Sequence, residues 1–125
     1  MNILRIVLAA AVLAVAAPAL AHRATERYIP IGASPGVSGK VTFLGTVESM
    51  DRSAYSVRVS GAERAIVMTY NEKTRFWLDR SKIRRTNLEG SVEDCRSGRR
   101  VEIRFVNDDR EAAVAAWVKV EITEE

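Results

Sequence analysis

The stretch GRRVEIRFVNDDREAAVAAWVKVEI, residues 98–122, decides the fold that this sequence predicts. Apolar and polar residues alternate through residues 101–105 and again through residues 114–122, and the polar residues 107–110 separate the two runs. The apolar positions are Val101, Ile103, Phe105, Val114, Ala116, Val118, Val120 and Ile122. Two alternating runs joined by an Asn/Asp-rich turn predict a β-hairpin. A lone hairpin cannot bury its apolar face, so we expect earlier strands to cover it.

Four earlier runs have the composition of β-strands, because they alternate in polarity or are rich in β-branched and aromatic residues. They are residues 41–47, 55–59, 65–70 and 76–78, the last being a short strand or an extension of the third. The alternation stops between Asp79 and Gly98. There Leu88, Val92 and Cys95 are spaced like one apolar face of a short helix.

The element order is therefore three or four strands, a crossover and two more strands. This order predicts an all-β fold, a five- to six-stranded antiparallel OB-like barrel with a short crossover helix, preceded by a signal peptide. A β-sandwich or a plain meander also fits the spacing. The chain contains one cysteine, so it has no internal disulfide to stabilise the fold.

Residues 1–21 have the three regions of a secretory signal peptide: a positive charge at Arg5, an apolar run, and alanines at positions 19 and 21 before the cleavage point. The apolar run from Ile6 to Ala21 has 16 residues, fewer than the roughly 20 that span a bilayer. We therefore expect cleavage after Ala21, which leaves 104 of the 125 residues, and no transmembrane segment in the mature chain.

The mature chain is expected to be periplasmic or secreted and to have two parts. Residues 22–38 contain prolines and glycines and little apolar periodicity, which predicts an extended segment that does not pack. Residues 39–123 form the predicted OB-like β-barrel domain. Removal of Arg5 leaves 18 basic residues against 16 acidic ones, a formal charge of +2, so net charge alone indicates no class of partner.

Five short pieces of the chain carry a resemblance to a known family. They are residues 45–47 followed by 50–51, then 55–57, 74–76, 98–103 and 116–120. With them, residues 39–122 resemble a family of small exported bacterial β-barrel (OB-like) domains of uncharacterised function. The shared residues are glycines, a threonine and apolar strand positions. The resemblance therefore implies a β-barrel in the cell envelope, and it implies no catalytic residue.

The sequence offers no constellation for an enzyme. The only histidine, His22, lies outside the predicted barrel, so a Ser/His or Cys/His nucleophilic site is not expected. No glycine-rich phosphate loop is present, and we expect no cofactor. Cys95 is either buried and inert or pairs with another molecule in an oxidising compartment, and we favour burial.

A basic run with interleaved aromatic residues is the candidate binding surface. The predicted partner-binding residues are Arg75, Trp77, Arg80, Lys82, Arg84 and Arg85. OB-folds use basic and aromatic residues to bind single-stranded nucleic acid, but export argues against that partner. Arginine also suits bidentate contacts to carboxylate or phosphate. A solvated loop whose aromatic side chains lie in the core is the alternative interpretation.

We therefore predict a non-enzymatic binding module of the bacterial envelope that contacts an anionic partner through this basic and aromatic surface. The partner is an envelope protein, an anionic glycan or a lipid headgroup. The alternative is a periplasmic metal-handling or redox accessory protein that uses His22 or Cys95. In that alternative, the imidazole and free amine of a mature His22 chelate copper, which requires at least one further ligand.

Overall fold

The computed structural model describes residues 25–107 and 113–125. The predicted signal peptide and His22 lie outside the described residues, and so does most of the turn between the last two strands. In the described part of the chain, no helix has the length and apolar composition that crossing a bilayer requires.

Seven strands and two single-turn 3₁₀-helices make up the described fold. The strands are β1 (Thr42–Asp51), β2 (Ser56–Gly61), β3 (Ala65–Thr69), β4 (Arg75–Asp79), β5 (Leu88–Glu89), β6 (Arg100–Phe105) and β7 (Ala115–Glu121). The 3₁₀-helices are Ser81–Ile83 and Val92–Asp94. The predicted all-β class is confirmed, with seven strands where the sequence predicts five or six.

The strands form one mixed sheet in the order β3-β2-β1-β6-β7-β4-β5. Neighbouring strands are antiparallel except β4 and β7, which run parallel. A bridge between Thr69 and Val114 joins the end of β3 to the start of β7, so the sheet curls back towards its own edge. The prediction of a wholly antiparallel barrel is therefore wrong at β4 and β7, two strands that no hairpin connects.

The predicted C-terminal hairpin is confirmed as β6 and β7. Its register pairs Val101 with Val120 and Ile103 with Val118, and all four side chains are buried. An irregularity at Phe105 shifts the pairing, so that Ala115 is the buried alanine of β7. The sequence pattern places Ala116 there, because strict alternation does not foresee a bulge.

The core lies on the concave side of the sheet and contains the inward side chains of six of the strands. Its largest buried members are Val47, Val57, Val59, Met68, Phe76, Val101, Ile103, Val118 and Val120. The opposite side chains of β1, β6, β7 and β4 form what we call the outer face of the sheet.

In place of the predicted crossover helix, residues 79–98 contain only the two single-turn 3₁₀-helices and a short strand. Leu88 and Glu89 instead pair with β4 as strand β5, and the amide of Gly90 donates to the carbonyl of Phe76 at 2.8 Å. A Cβ on Gly90 would lie 2.6 Å from Leu78 Cδ2 and 2.7 Å from Asp94 Oδ2, so a larger residue there would displace these two side chains. Pairing with β4 turns Leu88 outwards and interrupts the helical spacing, although Val92 and Cys95 still pack against the core.

Residues 25–41, which we call the strap, cross the outer face of the sheet. The amide of Ile31 donates to Asp79 at 2.9 Å, the amide of Gly32 donates to Glu102 at 2.9 Å, and Ser38 Oγ donates to Glu102 at 2.8 Å. The side chain of Ile31 is buried. The expectation that residues 22–38 do not pack is thus wrong for the described part, because polar groups on the sheet bind the backbone of the strap.

Candidate functional site

The outer face brings two tryptophans and two arginines together where the strap leaves the sheet uncovered. Strand pairing places Trp117 of β7 between Arg75 of β4 and Arg104 of β6. Trp77, two residues after Arg75 on the same face, stacks on Trp117 with ring centroids 5.3 Å apart and planes 29° from parallel. Trp117 therefore has an arginine on each of its two neighbouring strands and stacks on the second tryptophan, Trp77.

These residues line a cavity of about 820 Å³ beside the strap, which we call the groove. Its lining consists of Glu26, Val37, Arg75, Trp77, Arg104, Phe105, Val106, Ala116 and Trp117. Most of this lining is apolar or aromatic, with a few charged groups at defined positions. That combination is typical of sites that bind small molecules or short segments of polymers.

Arg75 and Arg104 are the exposed cations of the groove. Within residues 25–107 and 113–125, neither guanidinium makes a hydrogen bond or an ion pair. Each guanidinium carries five N–H donors in a planar fork that matches a carboxylate or a phosphate. The groove therefore presents two cationic forks beside a stacked aromatic pair.

A third cation, Lys119, lies beneath the groove and is fully buried. Its Nζ donates to Glu26 Oε1 at 2.8 Å and to the carbonyl of Ile29 at 2.9 Å, and it lies 5.0 Å from the ring centroid of Trp117. Glu26 Oε2 in turn accepts a hydrogen bond from Ser34 Oγ at 3.0 Å. A buried ammonium requires such partners, because desolvation of an unpaired charge is costly.

The six predicted partner-binding residues lie in two separate places on the structure. Arg75 and Trp77 line the groove, while the other four follow β4 around the first 3₁₀-helix. Arg80 Nε donates to the carbonyl of Thr86 at 2.7 Å, Lys82 pairs with Glu121 at 3.3 Å, and Arg85 pairs with Glu125. Arg84 ends the helix in a left-handed conformation and is exposed.

Sequence reasoning missed Arg104, Trp117, Lys119 and Glu26. A signal for the first three was present, since the alternation of β6 and β7 places them opposite the core positions of the hairpin. Only the pairing of β4 beside β7 brings them to Arg75 and Trp77, and this parallel pairing leaves no local pattern in the sequence. Glu26 belongs to the strap, for which no packing is predicted.

Of the two residues named in the metal and redox alternative, Cys95 lies in the described part of the chain and His22 lies outside it. Cys95 is buried with 2% of its surface exposed, and desolvation, followed by the nearby charge of Asp94, raises the pKa of its thiol to about 12. A protonated buried thiol is a poor metal ligand, because thiolate is the binding form. Across residues 25–107 and 113–125, no three His, Cys, Asp or Glu side chains are grouped to hold a metal ion.

Comparison with known proteins shows similarity at the level of overall shape. No protein-family model matches the chain, and no curated protein does. It is similar to a Cu(II)-bound CusF variant from Escherichia coli, at 14% identity over 64% of this chain and 89% of that one, with a TM-score of 0.45. It is also similar to Ag(I)CusF, at 14% identity over 64% and 95% of the two chains, with a TM-score of 0.44. Similarity at this level assigns no ligand to the chain.

Proposed function

We propose that this chain is a non-enzymatic binding module of the bacterial cell envelope that holds an acidic glycan in the groove of an OB-like barrel. The observation that carries the proposal is the placement of Arg75 and Arg104 on either side of Trp117, which stacks on Trp77. The apparent leader at residues 1–21 supports a periplasmic or secreted location.

The chemistry of the groove favours an acidic glycan over the other anionic partners. Arginine binds carboxylate through two parallel charge-assisted hydrogen bonds, which fix the direction of the ligand as well as its charge. Tryptophan offers a large apolar surface to the carbon skeleton of a sugar ring. A concave groove of about 820 Å³ encloses a short oligosaccharide, whereas a membrane surface or a broad protein face requires a flatter area.

The remaining basic residues have a secondary part in this proposal. Arg80, Lys82 and Arg85 are engaged with partners in their own chain, so they add positive potential near the groove and form no cradle of their own. Potential of this kind raises the association rate of an anion and is screened by salt.

Calorimetric titration with tetragalacturonate, and with maltotetraose as the neutral ligand of equal length, tests the proposal. We expect the wild-type chain to bind tetragalacturonate and not to bind maltotetraose. The double variant Arg75→Gln/Arg104→Gln should weaken this binding by about 100-fold or more, because each lost charge-assisted hydrogen bond corresponds to about tenfold or more in affinity. The matched variant Arg84→Gln/Arg85→Gln should lose less and should mainly reduce the salt dependence.

Two results would contradict the proposal: no binding of tetragalacturonate to the wild type, or equal binding by the wild type and the Arg75/Arg104 variant. Vesicles of phosphatidylglycerol and of phosphatidylcholine form a second arm. Preference for the anionic vesicles, without binding of the tetrasaccharide, would assign the groove to a lipid headgroup instead.

The alternative function, metal handling, would depend on residues outside the groove. The buried, protonated Cys95 is unsuited to it, so this alternative depends on His22, which lies outside the described residues. Metal analysis of protein taken from the periplasm, combined with Cu(II) titration of the mature chain and a His22→Ala variant, separates this alternative from the groove.

A further inference from the structure

Glu26 lines the groove and also forms the buried ion pair with Lys119 beneath it. It lines the cavity with Trp77 and Trp117, and its Oε1 accepts a hydrogen bond from Lys119 Nζ at 2.8 Å. The Lys119 ammonium also lies 5.0 Å from the ring centroid of Trp117, so it contacts two residues that line the groove. The anion that neutralises Lys119 thus comes from the strap.

The position of Lys119 makes a neutralising anion obligatory. Its side chain is fully buried, and its two hydrogen-bond acceptors, Glu26 and the carbonyl of Ile29, both belong to the strap. Only Glu26 among these carries charge, and a buried ammonium that loses its carboxylate has a large desolvation cost. Any change that removes Glu26 therefore creates a strong demand for another anion at the same point.

The neighbouring carboxylate, Glu102, is committed elsewhere. It lies opposite Lys119 in the β6–β7 register, yet it accepts hydrogen bonds from the amide of Gly32, from Ser38 Oγ and from Thr42 Oγ1, at 2.8 to 2.9 Å. Glu102 therefore binds the strap without lining the groove, and it offers a matched control for Glu26.

We propose that Glu26 is an internal substitute for the carboxylate of the ligand, and that an acidic glycan in the groove takes Lys119 over from it. Arg75 and Arg104 attract the ligand, and Lys119 then becomes the third cation of the site. In the absence of ligand, Glu26 keeps Lys119 neutralised and lowers the affinity of the groove for anions. This inference rests on the proposed function, since it concerns the same site.

Titration of tetragalacturonate into the full mature chain and its Glu26→Gln variant tests the inference. The amide keeps the shape of Glu26 and removes its charge. We expect the affinity to rise by about tenfold or more, since a hydrogen bond to a charged group becomes available to the ligand. The same ligand should also raise the melting temperature of Glu26→Gln further than that of the wild type, because at a given concentration a tighter ligand stabilises the folded state more.

Two further variants keep the test decisive. Glu26→Asp retains the charge and withdraws it by one methylene. We therefore expect this variant to fold even if Glu26→Gln does not, and to show a smaller gain in affinity for tetragalacturonate than Glu26→Gln. Glu102→Gln loosens the strap without removing the partner of Lys119, so its affinity for tetragalacturonate should equal that of the wild type. Equal gains in Glu26→Gln and Glu102→Gln would overturn the inference, because loosening of the strap would then be the cause.

The outcomes also separate this inference from the proposed function. If the wild type binds through Arg75 and Arg104 but Glu26→Gln binds no more tightly, the internal competitor does not exist and the groove assignment stands. If Glu26→Gln binds tetragalacturonate and the wild type does not, the native groove is closed to this ligand, so the proposed function is overturned and so is the exchange at Lys119. If no variant binds tetragalacturonate, both are overturned.

Discussion

Burial changes the chemistry of Cys95. Its thiol lies against the core with 2% exposure, and desolvation raises its pKa from the ordinary value of 9.0 to about 12. The thiol therefore stays protonated at neutral pH, which makes it a weak nucleophile and a weak ligand. The sequence prediction of a buried Cys95 is confirmed.

The raised pKa predicts a specific loss of stability at alkaline pH. A thiol that is harder to ionise in the folded state than in the unfolded state stabilises the fold fully below about pH 9, and this contribution is lost as the pH rises towards 12. Above pH 9 the free energy of unfolding should fall by about 1.4 kcal/mol per pH unit more in the wild type than in Cys95→Ala. Urea unfolding between pH 7 and 11 measures this difference, and parallel curves would contradict the prediction.

Lys119 and Glu102 are buried charged residues whose burial does not follow from the local sequence pattern. Alternation in the sequence correctly places both on the face opposite the core positions of the hairpin. From that pattern alone they are solvated charges on a polar face, but both are completely buried. The cover is the strap, which is distant in sequence, and no local rule indicates which segment lies over a given face of a sheet.

At the scale of the element, β1 depends on a glycine at the point where it pairs with β2. Gly45 lies opposite Gly61, and the ring of Phe43 lies close to both. A Cβ on Gly45 would lie 2.5 Å from the carbonyl oxygen of Ser60 and 2.7 Å from Val59 Cγ1. The glycine therefore permits a close approach of two backbones, and the bulge of the strand lies slightly further on, between Val47 and Ser49.

Substitution of Gly45 by alanine should destabilise the fold by about 1–3 kcal/mol, because backbone atoms must move to accept the new methyl group. Thr46→Ala, at the exposed neighbouring position, should change the free energy of unfolding by less than about 1 kcal/mol. Urea unfolding at neutral pH gives both values. Equal effects of the two substitutions would show that the strand is free to shift at Gly45.

The elements that sequence patterns predict well are those with local partners. β6 and β7 follow each other, so the alternation of Val101, Ile103, Val118 and Val120 suffices to pair them. The segment from Leu88 to Cys95 has helical spacing but also lies beside β4, and the strand pairing of Leu88 and Glu89 prevails. Residues 75–78 join the site through a parallel neighbour, and only the three-dimensional arrangement reveals that neighbour.

At the scale of the whole molecule, the fold has a barrel core and a separate outer layer. The core cluster runs from Val47 to Ile122 and contains no residue of the strap. The strap binds outside it through the side chain of Ile31 and hydrogen bonds to Asp79, Glu102 and Lys119. The barrel should therefore fold without the strap, but with lower stability.

Comparison of a chain that begins at Gly39 with one that begins at His22 tests this division. The shorter chain loses the burial of Ile31 and the strap hydrogen bonds, for which we expect a net loss of about 2–4 kcal/mol. For a domain of this size, such a loss lowers the melting temperature by about 10 °C or more. Circular dichroism should show the same β-rich spectrum and a cooperative melt for both chains. An unchanged melting temperature would mean that the strap does not pack in solution, and the absence of a cooperative melt would mean that it is part of the core.

Because Glu102 and Lys119 lie opposite each other on adjacent strands, the shorter chain exposes both to water and leaves neither buried without a partner. This is why we expect partial loss of stability and not unfolding.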